Sequence, residues 1–360
     1  MVRRLLSASL LSSFLVALLA APAFACGGLV NPNGSVTLVR TTTLAAYHDG
    51  VEHYVTSFEF AGGQGDFGSI VPLPDAPTKV IRGGDWTLQR LVQETQPTVR
   101  AEALASDSSA GASPAAVLLK TKIDALDIVI LKGGGTAVGN WAREHGFLLP
   151  PDAPEILDFY AERSPIFMAV RFNASRAANQ GLTEGDGTPI HLVIPTDDPW
   201  VPLRILGLGA GSVAPVEADV YLLTDRAPAM LPAPVTPAAA SLFADVGRRP
   251  GLVLERSETA SSSLLSDLRS DKGMSWLPSS GMWLSYLRLD TTAGDLDYDL
   301  AIDASGAGRP SPVDAGFPQG VAPASPSGTS ASALWIAAGL VGALVAVGAW
   351  SRRTTGRPAV

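Results

Sequence analysis

The sequence predicts an α+β fold: a β-rich ectodomain with a few inserted helices, plus a single C-terminal transmembrane helix. Three observations predict it. Short runs rich in β-branched and aromatic residues recur through residues 26–302, separated by turn residues. Only a few segments carry the apolar spacing of a helix. An uncharged apolar run over 333–350 ends in a basic tail.

The elements follow in order. Val36–Tyr47 and Val51–Phe60 read as two strands joined at His48-Asp49-Gly50, because Asp-Gly accepts the left-handed angles of a tight hairpin turn. Tyr54, Phe58 and Phe60 share one side of the second strand and are expected in the core, with Glu52 at its exposed start. Gly68–Leu73 is a third strand, and Asp85 is placed to cap a helix over Trp86–Glu94. Ser106–Ala115 is small and polar, a loop. Leu126–Leu131 is a short buried strand, followed by a helix over Thr136–His145 that Gly146 stops, with His145 in a C-capping role. A second helix starts near Pro154 and carries Ile156, Leu157, Phe159 and Tyr160. Ile166–Phe172, His191–Ile194, Val201–Leu206 and Ala218–Leu223 are strands. Ser257–Ser270 reads as helical, and Trp283–Leu289 with Leu296–Ile302 as a hairpin.

The two ends point to a compartment. Residues 1–25 read as a signal peptide, with Arg3 and Arg4, an apolar stretch from Leu5 to Ala20, and small residues at Ala23 and Ala25. Cleavage there makes Cys26 the first mature residue, either lipidated or a free thiol; Ala23 and Phe24 depart from the lipobox. Residues 303–332, rich in Pro, Gly, Ser and Ala, read as a flexible disordered stalk. Residues 333–350 approach the length that spans a bilayer, with Trp335 and Trp350 near the ends. Arg352, Arg353 and Arg357 in the tail 351–360 set a cytoplasmic C terminus and an extracytoplasmic domain.

The whole chain carries 26 basic and 34 acidic residues, net −8. Setting aside the two basic residues of the leader and the three of the tail leaves 21 against 34, net −13. That charge disfavours nucleic acid and favours cations or basic partners. One Cys excludes an intrachain disulfide framework.

Several stretches together resemble a known family. They are Cys26-Gly27-Gly28; Phe67-Gly68-Ser69-Ile70-Val71-Pro72-Leu73-Pro74; Trp141 through Pro150, leading to Phe159-Tyr160 and Phe167-Met168-Ala169-Val170; and Pro202-Leu203-Arg204-Ile205. The chain resembles, over roughly residues 26–225, a bacterial secreted family catalogued as domain of unknown function 2330. No second Cys follows Cys26, and Ser69-Ile70 stands where the family often has Trp. The resemblance implies an envelope protein, often anchored at its C terminus, and assigns neither a reaction nor a catalytic residue.

Motifs for chemistry are sparse. Lys132 to Gly139 lies between a strand and a helix, but Asn140 follows where a Walker loop needs Lys-Ser/Thr, so a turn with a helix cap is the reading. Asp295, Asp297 and Asp299 alternate with apolar residues, so three carboxylates on one strand face are the candidate metal ligands, for Ca²⁺. The bland alternative is a solvated acidic face. Glu184 with Asp186, and Asp197-Asp198, read as polar turns. Neither Gly-x-Ser-x-Gly nor Ser-x-x-Lys occurs, and His48, His53, His145 and His191 have no nucleophile assigned to them by motif. Asn33 and Asn173 open glycan-acceptor triplets of a short pattern. The reading is a membrane-anchored surface module, non-catalytic, binding a protein or envelope polymer, with no cofactor assigned. The alternative is an envelope hydrolase or glycan-modifying enzyme, recognisable by two carboxylates, or a His with a hydroxyl, converging in a pocket.

Overall fold

The computed structural model describes residues 28–30, 37–61, 67–95, 115–181, 187–304 and 308–317. All belong to the first of two compact units, Met1–Gln319; the second is Gly320–Val360. Residues 1–25, read as a signal peptide, with Cys26, Asn33, Glu184, Asp186, the segment 333–350 and the three tail arginines lie outside the described residues. Among the described residues no helix is long and apolar enough to cross a membrane.

Strands β2 (Thr37–His48) and β3 (Val51–Ala61) form the expected hairpin. Asp49 and Gly50 both take positive φ, 49° and 75°, as a two-residue primed turn requires. This hairpin is the centre of a seven-stranded sheet. Its order is β13 (Gly251–Thr259), β14 (Trp283–Thr292), β11 (Pro215–Thr224), β2, β3, β9 (Ile190–Pro195) and β5 (Lys79–Arg82). All neighbours are antiparallel except β11 and β2. A five-stranded antiparallel sheet runs β1 (Gly28–Val30), β4 (Phe67–Leu73), β8 (Ile166–Phe172), β7 (Leu126–Lys132), β6 (Ala116–Ile123). A small third sheet joins β10 (Trp200–Val201), β15 (Leu300–Asp303) and β12 (Ala229–Leu231). Few helices accompany these strands, so the α+β class stands.

The helices cover what the strands leave apolar. One core unites Tyr54, Leu192 and Val220 of the large sheet with Ile70, Ile128 and Phe167 of the second sheet. It also takes Trp141 and Leu157 from α2 (Gly135–Glu144) and α3 (Ala153–Ala161). On the other face of the large sheet, Leu44, Val55 and Tyr221 meet Leu91 of α1 (Thr87–Thr95) and Leu264 and Leu268 of α6 (Ser262–Ser270). Around its central hairpin the large sheet is therefore covered on both faces. That is why Glu52, expected at an exposed strand start, has no exposed surface. Tyr54 is buried as expected; the side chains of Phe58 and Phe60 lie outside the described residues.

Several expectations are corrected. Asp85 does not cap α1. It pairs with Arg82 at 2.5 Å, and the Asp271 carboxylate accepts the Trp86 and Thr87 N–H groups at 3.2 and 2.7 Å. Val201–Leu206 is not a strand: after two residues of β10, Pro202 removes a ladder donor and Arg204–Gly207 turns as a 3-10 helix. Residues 257–259 close β13, and α6 begins at Ser262 with Ser261 as its N-cap. Leu296–Ile302 does not pair with β14: β15 pairs with β10 and β12. Within the segment assigned to the stalk, residues 303–304 and 308–317 are described, and they pack on the domain. Asp303 ends β15, and Arg163 donates to the Asp314 carbonyl at 2.6 Å. Asn173 is the N-cap of α4 (Ala174–Gln180), accepting from Arg176 N–H.

Candidate functional site

Four polar centres and one exposed surface stand out among the described residues. The Asp triad of the sequence reading does not assemble. Residues 293–295 form a 3-10 turn, and 296–299 are not strand, so the alternation that would align the carboxylates is absent. Asp295 accepts from Thr292 Oγ1 at 2.7 Å, and Asp297 is exposed. Asp299 is fully buried and consumed by four donors. Its Oδ1 accepts Tyr160 O–H at 2.8 Å and the N–H groups of Leu203 and Arg204 at 2.6 and 2.9 Å. Its Oδ2 takes the Arg163 guanidinium at 2.5 Å. That guanidinium lies over Phe159, Tyr160 and Trp200, 4.1–5.1 Å from the ring centroids. A carboxylate so surrounded ties α3, the 203–204 turn and the entry to β15 together, and its charge is already met by Arg163.

The second centre pairs His53 Nδ1 with His191 Nε2 at 2.9 Å, under a Trp276 ring stacked 3.5 Å from His53. Burial lowers the His53 pKa to about 3, helped by His191, His48 and Lys79, and lowers that of His191 to about 4. Both rings are neutral near pH 7. The third centre is Glu52, opposite Tyr47 and Ile194 in the sheet. Neither carboxyl oxygen has a hydrogen-bond partner, and burial raises its pKa to about 8, so it carries its proton at neutral pH. The fourth is His48, whose Nδ1 lies 2.7 Å from Asp225 Oδ1 and whose Nε2 lies 3.4 Å from Asp49 Oδ2. His145 caps α2 as expected, its ring stacked on Trp141 at 3.9 Å. The Lys132–Gly139 turn is likewise a helix entry. A Cβ on Gly135 would strike Asp158, whose carboxylate stands against this turn and would repel a phosphate.

The surface with binding character is a groove of about 680 Å³ between α5 (Pro237–Asp245) and the edge of the large sheet. Thr236 caps α5, accepting Ala239 N–H, and Pro237 pre-sets its first turn. Of its nine residues only Ala240 is buried. Leu242 and Val246 are 67% and 69% exposed one turn apart, and Phe243 stands beside them. The groove floor is an alternating ion chain. Glu217 and Asp290 oppose each other across β11 and β14, and Arg249 bridges them at 3.3 and 2.5 Å. Arg288 then links Asp290 at 3.1 Å to Glu255 at 2.9 Å. No histidine lines the groove, and Ser241 Oγ donates to its own helix at Pro237 O. Sequence reading missed this surface entirely: it assigns no element to the Ala-rich run of α5, and the ion chain joins residues from three strands and a loop.

Residues 20–231 match the family described as an uncharacterized protein conserved in bacteria (DUF2330). The chain belongs to this family. The DUF2330 match takes in β4, α2, α3, β8 and the 203–204 turn, and so four of the five residues of the Asp299 centre; it ends in β12, before α5 and its groove. No curated protein matches the chain. Among solved structures it is similar to baculovirus P35, with a TM-score of 0.40 and 12% identity over 76% of this chain and 99% of that one. A mutated baculovirus P35 after caspase cleavage gives a TM-score of 0.36 and 10% identity over 74% and 99% of the two chains. P35 in complex with caspase-8 gives 0.35 and 9% over 76% and 98%.

Proposed function

We propose that this DUF2330 protein is a membrane-anchored, extracytoplasmic binding module that docks a protein partner on the exposed apolar side of α5. The observation that carries the reading is the exposed apolar set Leu242, Phe243 and Val246, which stands on α5 outside the groove lining of Pro237, Ala240, Ser241 and Ala244. Contiguous apolar side chains left in water mark interaction surfaces. Arg248 is exposed at the rim and offers a cation to an acidic partner group. Each groove carboxylate is held by an arginine, which supports binding over acid–base chemistry: an acid pinned as an ion pair is a poor proton carrier. The anchoring part of the reading rests on the leader 1–25, the apolar run 333–350 and Arg352, Arg353 and Arg357.

The test is site-specific photocrosslinking in intact cells. A crosslinker at Leu242 should capture a discrete partner, and the same group at Val213, 87% exposed elsewhere, should not. Val246→Asp should abolish the Leu242 crosslink while leaving thermal stability unchanged, since the side chain is already in water. Identical crosslinks from positions 242 and 213, or none that Val246→Asp removes, would refute the docking surface.

A further inference from the structure

We propose that His48 and Asp49 form a binding site for a divalent transition-metal ion of the Zn²⁺ class, with Asp225 as the positioning residue. The site is built by the backbone. His48 ends β2, and the parallel ladder pairs Tyr47 with Thr224, so Asp225 follows Thr224 as His48 follows Tyr47. The next residue, Asp49, takes φ 49° in the hairpin turn, which swings its carboxylate back beside the ring. Two sequence-distant segments and one tight turn thus converge, with one donor atom of each of the three residues within 4.8 Å of the others.

A neutral imidazole offers one N–H and one lone pair. Here both ring nitrogens face carboxylates. One contact is satisfied by the N–H; the other sets a lone pair against an anion, unless a cation stands between. The distances distinguish the two. At 2.7 Å, Nδ1 and Asp225 Oδ1 are a short charge-assisted hydrogen bond with room for nothing else. At 3.4 Å, Nε2 and Asp49 Oδ2 are too far for a good hydrogen bond. That gap matches the edge of a tetrahedron with metal–ligand bonds of about 2.1 Å, the length of Zn–N and Zn–O bonds. A carboxylate on Nδ1–H with a metal on Nε2 is the recurring arrangement that orients a ligating histidine. One imidazole with carboxylate oxygen suits Zn²⁺ or Ni²⁺ over Ca²⁺, which prefers six or more oxygens. Asp49 is 86% exposed, so water completes the coordination.

The rival occupant of the gap is a proton, which would make His48 an imidazolium held by two acids. Calorimetric titration of the full chain with Zn²⁺ at pH 7.5 separates them. Wild type should bind one ion saturably. His48→Gln and Asp49→Asn should each lower the affinity at least tenfold, and Asp225→Asn by about tenfold, as loss of an orienting carboxylate does. Ca²⁺ should show no His48-dependent binding. Asn tolerates the left-handed angles of position 49, so Asp49→Asn keeps the test sound if His48→Gln fails to fold. No saturable Zn²⁺ binding, or equal affinity in wild type and Asp49→Asn, would overturn the site and leave the imidazolium.

Discussion

Glu52 and the two buried histidines make stability depend on pH in opposite senses. A carboxyl with pKa raised to about 8 holds its proton in the folded chain after the unfolded chain has lost it near 4.5. Stability from this group is complete below pH 4.5 and is lost as pH rises toward 8, at up to about 1.4 kcal/mol per unit. His53 and His191, lowered to about 3 and 4, act the other way: the unfolded chain takes up protons below 6.5 and the folded chain does not. Their stability is present above pH 6.5 and is lost as pH falls through that window. The midpoint of thermal unfolding should therefore peak near pH 6–7. Glu52→Gln should flatten the fall between pH 7 and 8 and steepen the rise between pH 4.5 and 6.5, where Glu52 opposes the histidines; an unchanged alkaline limb would put the titrating group elsewhere. Asp299 is a residue of a different kind. Asp299→Ala strands a buried Arg163 and three donors, and should cost about 3–5 kcal/mol, read by chemical denaturation. A loss below 1 kcal/mol would mean that water replaces the carboxylate.

At the scale of elements, α1 shows how a helix end is completed from a distance. Asp271 Oδ2 accepts two of its first N–H groups and the Thr87 hydroxyl at 2.6 Å, and ionisation is favoured there: despite burial, these donors hold the carboxyl below its usual range. Gly84 makes the approach possible, since a Cβ would occupy the carboxylate's place. Asp271→Ala should cost about 1–2 kcal/mol, the worth of a cap, and Asp85→Ala within about 0.5. Equal losses from the two would return the cap to Asp85. The edge strand β13 is blunted by a bulge between Leu254 and Arg256 and by Glu255, Arg256 and Glu258, which discourages pairing with another chain. Next to it α5 carries Leu242, Phe243 and Val246 in water, the set to which partner docking is proposed.

For the whole molecule, the folded part extends past the β-strands. Arg163 holds the Asp314 carbonyl, Asp299 N–H donates to Ala315 O, and a Cβ at Gly316 would meet the Phe159 ring. The proposed stalk therefore starts after Phe317. Mild proteolysis of intact cells should release a soluble fragment ending within 318–332; ends within 308–317 would show that this packing does not hold. The proposed anchor is tested separately. Replacing Arg352, Arg353 and Arg357 with Glu should lower correct insertion in a topology reporter, because positive residues hold the tail inside. Unchanged topology would leave orientation to the leader alone.

Features whose signals lie within a few residues of one another are legible without the fold. The β2–β3 hairpin follows from Asp49-Gly50, α2 ends where Gly146 takes its positive φ of 85°, and β8 spans the apolar run Ile166–Phe172 that marks it. The DUF2330 motifs are likewise local strings. Tertiary structure decided the rest. Period-two spacing says which strand residues share a face, not that both faces are covered, so Glu52 was legible as a strand residue and not as a buried acid. Asp299 looked like one tooth of an acidic strand because its partners lie 95 to 139 positions away. His48 and Asp225, 177 positions apart, meet because β11 lies parallel to β2. Hydrogen bonds and ion pairs form between whatever groups folding brings within about 3 Å, and that proximity is set by strand order, which no local run of residues encodes.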